Sequence, residues 1–439
     1  MIEIFYIIAQ ILFILAIAYF PIILFENNVY FNSLKFNLLD KLSINLIFFM
    51  NLLFLTSILN INTYNILYIY FLIIILFFIL NFKNFKNFNF NKFKINYFLI
   101  SLLIFIFLIS IDVADQIFFS WDTKTNWFFK ALNFFQNQDI KNLKEFNNFD
   151  YPHLGSFIWS FFWQFPFESY EYLGRIFYVF LYVLSIFSIS NCLKLEIYEK
   201  IIFSILLISL TYNYKLFSGL QDVVIFSVIL LFSRFSFIIF QKSYKINNTL
   251  IILIMLGVFN VLCWIKNEGI FYGLFLLISL AITYSFSRRD KIFILFGIII
   301  ILSLRLFLFR YYNTELNPGY FEMEKTLEFD LILIFYKLKT ITFYIFIYLS
   351  QNPIYFLTIP LLIFITFKYP IKNITKFVLY FLILNVVFIY FTYALKMTEV
   401  ELLIKASMVR VIFQTSGIYF LIIVIYINNY ARLFNSIKK

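Results

Sequence analysis

Residues 112–165 read DVADQIFFSWDTKTNWFFKALNFFQNQDIKNLKEFNNFDYPHLGSFIWSFFWQF. This is the longest polar interval in a chain otherwise built of long apolar runs, and it decides how the rest is read. Asp112, Asp115 and Asp122 crowd the exit of one hydrophobic run. Trp121-Asp122 leads into the amphipathic Trp127-Phe128-Phe129-Lys130-Ala131-Leu132, and then into the turn-like Asp150-Tyr151-Pro152-His153. A simple connector needs none of these features. Long ordered loops between elements carry function more often than structure. The expectation is an ordered outer loop containing interfacial helices, with its catalytic part over 114–152.

Outward from this stretch, composition sets the class. The 439 residues are 63% hydrophobic with a mean hydropathy of +0.90, against ~45–50% apolar in soluble domains. The fold class expected is an all-α polytopic membrane protein, a single transmembrane domain over 1–439. With 66 Phe and 32 Tyr against 9 Gly, the composition has the look of an AT-rich coding bias, so single Phe, Ile, Asn or Lys residues carry little weight. The formal charge of +12 points to orientation in the membrane by basic loops rather than to nucleic acid. Cys192 and Cys263 lie in or beside apolar runs, with no CxxC or Cys/His cluster, so neither a disulfide framework nor a zinc site is expected. No GxGxxG or GxxxxGK[ST] occurs, which argues against a bound nucleotide. No cofactor is expected. Ile4–Phe25 lacks a basic leader and a small-residue cleavage site, so it reads as a retained span.

A helical span takes ~20 apolar residues. About 13 transmembrane helices (11–14) are expected, near 4–25, 43–59, 64–81, 97–113, 170–192, 200–214, 222–241, 249–266, 269–287, 292–312, 345–367, 376–395 and 409–428. The stretches 153–165 and 328–344 read as interfacial or re-entrant helices, the first too short to span and the second interrupted by Lys337 and Lys339. With that reading the short basic loops, including 82–94, Lys194, Lys200, Arg288, Arg289, Lys368 and Lys372, share one face. That face is cytoplasmic by the positive-inside rule, and the loop 114–152 lies outside.

Further polar clusters then fall at outer ends of spans: Gly219-Leu220-Gln221-Asp222, Lys266-Asn267-Glu268-Gly269, Arg305 with Arg310, and Glu399 through Ser407-Met408-Val409-Arg410. A charge deep in a bilayer costs ~2.5–3.5 kcal/mol on insertion scales, so such residues face water, one another or a site. Together with Trp121-Asp122, Trp127, Lys130-Ala131 and Tyr151-Pro152, these motifs resemble, in order over roughly 110–420, the GT-C glycosyltransferases. In particular they are similar to a bacterial group of family-39-like membrane proteins. The resemblance implies a polyprenyl-phosphate-linked sugar donor, transfer on the non-cytoplasmic face of the bacterial inner membrane, and a lipid, glycan or protein acceptor. Asp122 is followed by Thr123, a departure from the two adjacent acids usual in that family's first loop.

Inverting sugar transfer needs a carboxylate to take the acceptor proton and cations to stabilise the departing lipid phosphate. Asp122 and Asp222 are the catalytic candidates, each of which could instead cap a helix N-terminus. Lys266, Arg410 and Lys130 are candidates for donor phosphate, against the plainer reading of interfacial basic residues. Trp121, Trp127, Tyr151, His153 and Glu268 would shape the site, with Glu268 expected to pair with Lys266. No metal ligand is assigned. Two rival readings remain open: an O-antigen ligase or polymerase, and a flippase or transporter of a lipid-linked or anionic solute. The latter would favour charges at mid-membrane and repeated halves, and no internal repeat is seen.

Overall fold

The computed structural model describes residues 2–20, 36–80, 96–116, 119–137, 139–146, 149–168, 170–241, 249–312, 331–368, 372–394 and 400–437. All regular structure among them is helical. The reason is solvent: an apolar segment away from water must satisfy its backbone groups internally, and a helix does so within the segment. The loops 82–94 and 313–327 and the residues Lys35, Lys242, Lys245, Glu399, Lys438 and Lys439 lie outside the described residues.

In chain order come α1 (Ile2–Tyr19), α2 (Leu38–Ile58), α3 (Thr63–Leu80) and α4 (Tyr97–Asp115). A π-helical stretch, Thr123–Phe128, runs into α5 (Phe129–Phe135), followed by α6 (Leu154–Gln164), α7 (Tyr172–Ser190), α8 (Ile197–Thr211) and α9 (Asp222–Gln241). Then follow α10 (Thr249–Ile265), α11 (Glu268–Thr283), α12 (Arg288–Tyr311), α13 (Leu331–Gln351), α14 (Pro353–Lys368), α15 (Asn373–Ala394), α16 (Val400–Ser416) and α17 (Phe420–Ile437). Among the described residues seven helices are long and apolar enough to cross a membrane, with α16 and α17 taken as one span, or up to eight if α13 and α14 also count as one. Helices α10 and α11 belong to a shorter apolar group.

Burial sorts the helices into layers. The span of α7 is 100% buried and that of α12 only 17%. A helix apolar on every side belongs inside a bundle, and α7 and α9 form that centre. Their hydroxyls back-bond to the helix itself, as Ser185, Ser190, Ser227 and Ser233 do, so burial leaves no cost there.

Contacts also sort the two ends of the bundle. At one end Asp40 of α2 accepts from Nε and Nη2 of Arg234, both at 2.8 Å, and Arg234 Nη1 donates to Cys192 Sγ at 3.2 Å. Lys194 N and Lys372 Nζ reach Asn428 and Asn429 beside them, at 2.9 and 3.1 Å. At the other end His153 Nε2 meets Ser57 Oγ at 2.8 Å and Thr63 Oγ1 donates to Asn137 at 2.9 Å.

Two expectations are corrected and a third is placed. The stretch 345–367 is not one straight helix: α13 and α14 meet at Asn352–Pro353 with a bend of 96°, as a broken span or a re-entrant pair. Proline disfavours helix at the residue before it but is preorganised for the first turn of the next helix. Asn352 Oδ1 completes the start of α14 by accepting from Ile354 N at 3.1 Å. The last apolar stretch begins near Val400 rather than at 409, so Ser407 through Arg410 lie inside α16 instead of before it. The segment 153–165, read as interfacial or re-entrant, is the 11-residue α6, buried along nearly its whole length, with Gln10 Nε2 on Phe162 O at 2.9 Å and its own Gln164 Nε2 on Phe135 O at 2.7 Å. Its hydrophobic faces leave no side for water.

Candidate functional site

The site is built first from the segment before α5. Ser120, not Asp122, starts this helix: Ser120 Oγ lies 2.8 Å from Thr123 Oγ1 and accepts from Thr123 N at 3.3 Å. Asp122 makes no capping bond, and its carboxylate accepts instead from Arg410 Nη1 of α16. Irregular π turns recur at functional positions in helices, and here one immediately follows the residue that points at a partner 288 residues away.

The second part is the tight turn between α10 and α11. Lys266 Nζ donates to Asp222 Oδ1 at 3.0 Å, in a pair whose side chains are 8% and 0% exposed. Gln414 Nε2, one helical turn beyond Arg410, donates to the same oxygen. Asp222 is the first residue of α9 but caps nothing. Its Oδ2 is buried with no hydrogen-bond partner among the described residues. The turn is tight because Gly269 lets the α11 backbone approach α10, where a Cβ would lie 2.0 Å from Leu262 O.

These elements enclose a cavity of about 270 Å³, whose charged lining is Asp122, Lys266, Glu268 and Arg410. Aromatic walls come from Trp121, Trp127, Tyr151 and Tyr393. Trp127 and Tyr151 meet edge to face at 5.5 Å. Trp121 is 73% exposed and stands at the rim. Asp222 is brought to the cluster but sits behind Lys266, outside the lining. Glu268 does not pair with Lys266 as the sequence suggests, since Asp222 takes that ammonium. The Glu268 Oε2 is buried without a hydrogen-bond partner among the described residues.

Two candidates fall elsewhere. Lys130 is fully buried, donates to Tyr151 O at 2.8 Å and lies 6.0 Å from the ring centroids of Trp127 and Tyr151. It props the aromatic wall from behind, so the phosphate role expected of it is not supported by its position. Burial pulls its ammonium down to about 7, opposed by the nearby Asp150 carboxylate, which burial in turn pushes up. His153 bonds Ser57 and packs against Trp264 at 5.5 Å. Burial first, then the charges of Lys130 and Arg305, lowers it to about 3. It is a satisfied core histidine that holds the outer segment onto α2.

Sequence reading missed Gln414, Tyr393 and Arg175. Gln414 carried a signal, since it lies four residues after Arg410 and so on the same helix face. Tyr393 OH lies 2.9 Å from Ser407 Oγ and carried none. Arg175 pairs with Glu171 at 2.9 Å and donates to Gln116 O and Phe217 O at 3.2 and 3.1 Å. It ties the start of the outer segment and the α8–α9 connection to α7, and a charge in an apolar run was its signal. Asp112 instead takes the Tyr212 hydroxyl. Among the described residues no three His, Cys, Asp or Glu side chains converge as a metal site.

The fold and this cluster define a polytopic helical membrane protein with a charged, aromatic-walled cavity at one end of its bundle. No protein-family model, curated protein or solved structure matches the chain.

Proposed function

We propose that the protein is a membrane glycosyltransferase of the GT-C type, moving a sugar from a polyprenyl-phosphate donor to a lipid, glycan or protein acceptor with inversion. The observation that carries this reading is the convergence of two carboxylate–cation pairs, Asp122–Arg410 and Asp222–Lys266, on one aromatic-walled cavity. Sugar transfer from a lipid phosphate calls for these groups together: a proton acceptor, cations for the leaving phosphate, and ring faces for the sugar. On this reading the chain crosses the bacterial inner membrane about thirteen times. The cavity then opens outside, and the end holding Asp40, Arg234, Lys194 and Lys372 faces the cytoplasm.

The fixed charges at one bundle end favour a transferase over a transporter, whose coupling charges belong near mid-membrane. The test is transfer by the purified full chain, in detergent, from a panel of polyprenyl-phosphate sugars. Glycosylated acceptor and released polyprenyl phosphate are the expected products. Failure across the panel, with lipid-linked substrates instead moved between leaflets in proteoliposomes, would overturn the proposal in favour of a flippase.

A further inference from the structure

We infer that Glu268, rather than Asp122, is the group that takes the acceptor proton in this cavity. The inference rests on the glycosyltransferase reading above and names which carboxylate serves as the base. Three carboxylates and two cations form the cluster. Asp222 is held by Lys266 and Gln414 and lies outside the lining. Asp122 lines the cavity, but its carboxylate is engaged by Arg410. Glu268 lines the same cavity, is in no ion pair among the described residues, and keeps a buried oxygen with nothing donating to it. A carboxylate held by a guanidinium or ammonium is a weaker base, and Glu268 is the lining carboxylate outside any ion pair among the described residues.

The charge accounting leads to the same residue. Glu268 stands outside both pairs, within Coulombic reach of Lys266, Arg305 and Arg410. The donor phosphodiester brings one negative charge. In the step, the acceptor hydroxyl oxygen attacks the anomeric carbon and the bond from that carbon to the phosphate oxygen breaks. Its electron pair leaves with polyprenyl phosphate, and the hydroxyl proton passes to Glu268. The phosphate gains a negative charge as Glu268 loses one, so the total charge in the cavity stays constant through the step. Charge moves across the cavity toward Arg410 and Lys266, the two cations in its lining. Release of the proton to water resets the carboxylate.

The closing experiment uses the full chain with a donor and acceptor found active in the panel, and measures turnover, equilibrium binding of labelled polyprenyl phosphate, and melting temperature. Glu268→Gln should lower turnover ~100- to 10,000-fold, the range of general-base contributions, while polyprenyl phosphate binding and melting temperature are kept. Glu268→Ala should regain turnover with added formate, a small base able to enter the emptied space, which a purely structural residue would not allow. Glu268→Gln turnover above about a tenth of wild type would overturn the assignment, since a base contributes far more than tenfold. So would loss without rescue by formate. Wild-type protein inactive with every donor would instead sink the glycosyltransferase reading itself, so the two failures are told apart.

Discussion

Asp222 and Lys266 are both buried, and each is tolerable there because of the other. Removing one partner of a buried pair typically costs ~3–5 kcal/mol, while replacing both with apolar groups is often neutral. Lys266→Met alone should therefore destabilise strongly, and Asp222→Leu/Lys266→Met should recover most of that loss, read by thermal unfolding in detergent. A double variant destabilised by the sum of the Asp222→Leu and Lys266→Met singles would mean the pair is not coupled. The Asp122–Arg410 pair behaves differently because both side chains are 27% exposed. A pair so open to solvent is worth ~1 kcal/mol or less. Asp122→Asn should leave stability nearly unchanged and raise the donor KM about fivefold through a less well-held Arg410, with kcat largely kept. A kcat collapse at unchanged KM would return the base role to Asp122. The charged residues themselves were legible in the sequence as costly groups at the ends of apolar runs. Their pairings were not: nothing local tells Asp122 that its partner is Arg410, or Glu268 that Lys266 is already taken.

At the level of elements, the turn carrying Lys266 and Glu268 depends on close helix approach. A Cβ at Gly269 would meet a backbone oxygen, which cannot rotate away. Overpacking of this kind costs ~1–3 kcal/mol. Gly269→Ala should shift α11 from α10, lower the melting temperature and reduce turnover together, and an unperturbed enzyme would count against the turn as the positioning element. The outer segment offers a pH test through His153. Its folded value, lowered to about 3, lies below the ordinary ~6.5, so the unfolded chain binds the proton first. Stability is present above pH ~6.5 and is lost as pH falls toward 3, by up to ~1.4 kcal/mol per pH unit. The raised Asp150 carboxyl works in the opposite sense, so the comparison is with His153→Gln, which keeps a polar contact to Ser57 without titrating. A flatter pH–melting curve for the variant below pH 6.5 is expected. Apolar length made the helices legible; the break at Asn352 was not, because a proline inside an apolar run is compatible with a kinked span as well as with two helices. In the structure Lys337 Nζ reaches Ala394 O, at the C-terminal end of α15, at 3.4 Å, so that lysine marks where α13 lies rather than where it ends.

For the whole molecule, the question is which end of the bundle faces out. The basic residues Lys194 and Lys372 sit with Arg234 at one end and the cavity lies at the other. Short basic loops stay cytoplasmic. A cysteine at Gln136 should react with an impermeant maleimide in intact cells, and one at Lys194 should react only after permeabilisation. Cys192 and Cys263 are buried, so their background labelling should be low. The reverse pattern would place the cavity in the cytoplasm and remove the case for a polyprenyl-phosphate donor used outside. The expected sidedness rests on charge counts in loops, a local property of the sequence. The layering around α7 and α9 was not legible, because their apolar runs look like those of the outer helices until the neighbours are known.

The 288 residues between Asp122 and Arg410 also set a timetable. A ribosome adds ~5–20 residues per second, so Asp122 is made on the order of tens of seconds before its guanidinium partner exists. Through that interval the first half of the cavity must wait beside the membrane with its aromatic rim and acids unpaired. On the glycosyltransferase reading, catalytic competence therefore arrives only when α16 threads into place against α9, as a late event of biogenesis rather than a property of any folded portion of the chain.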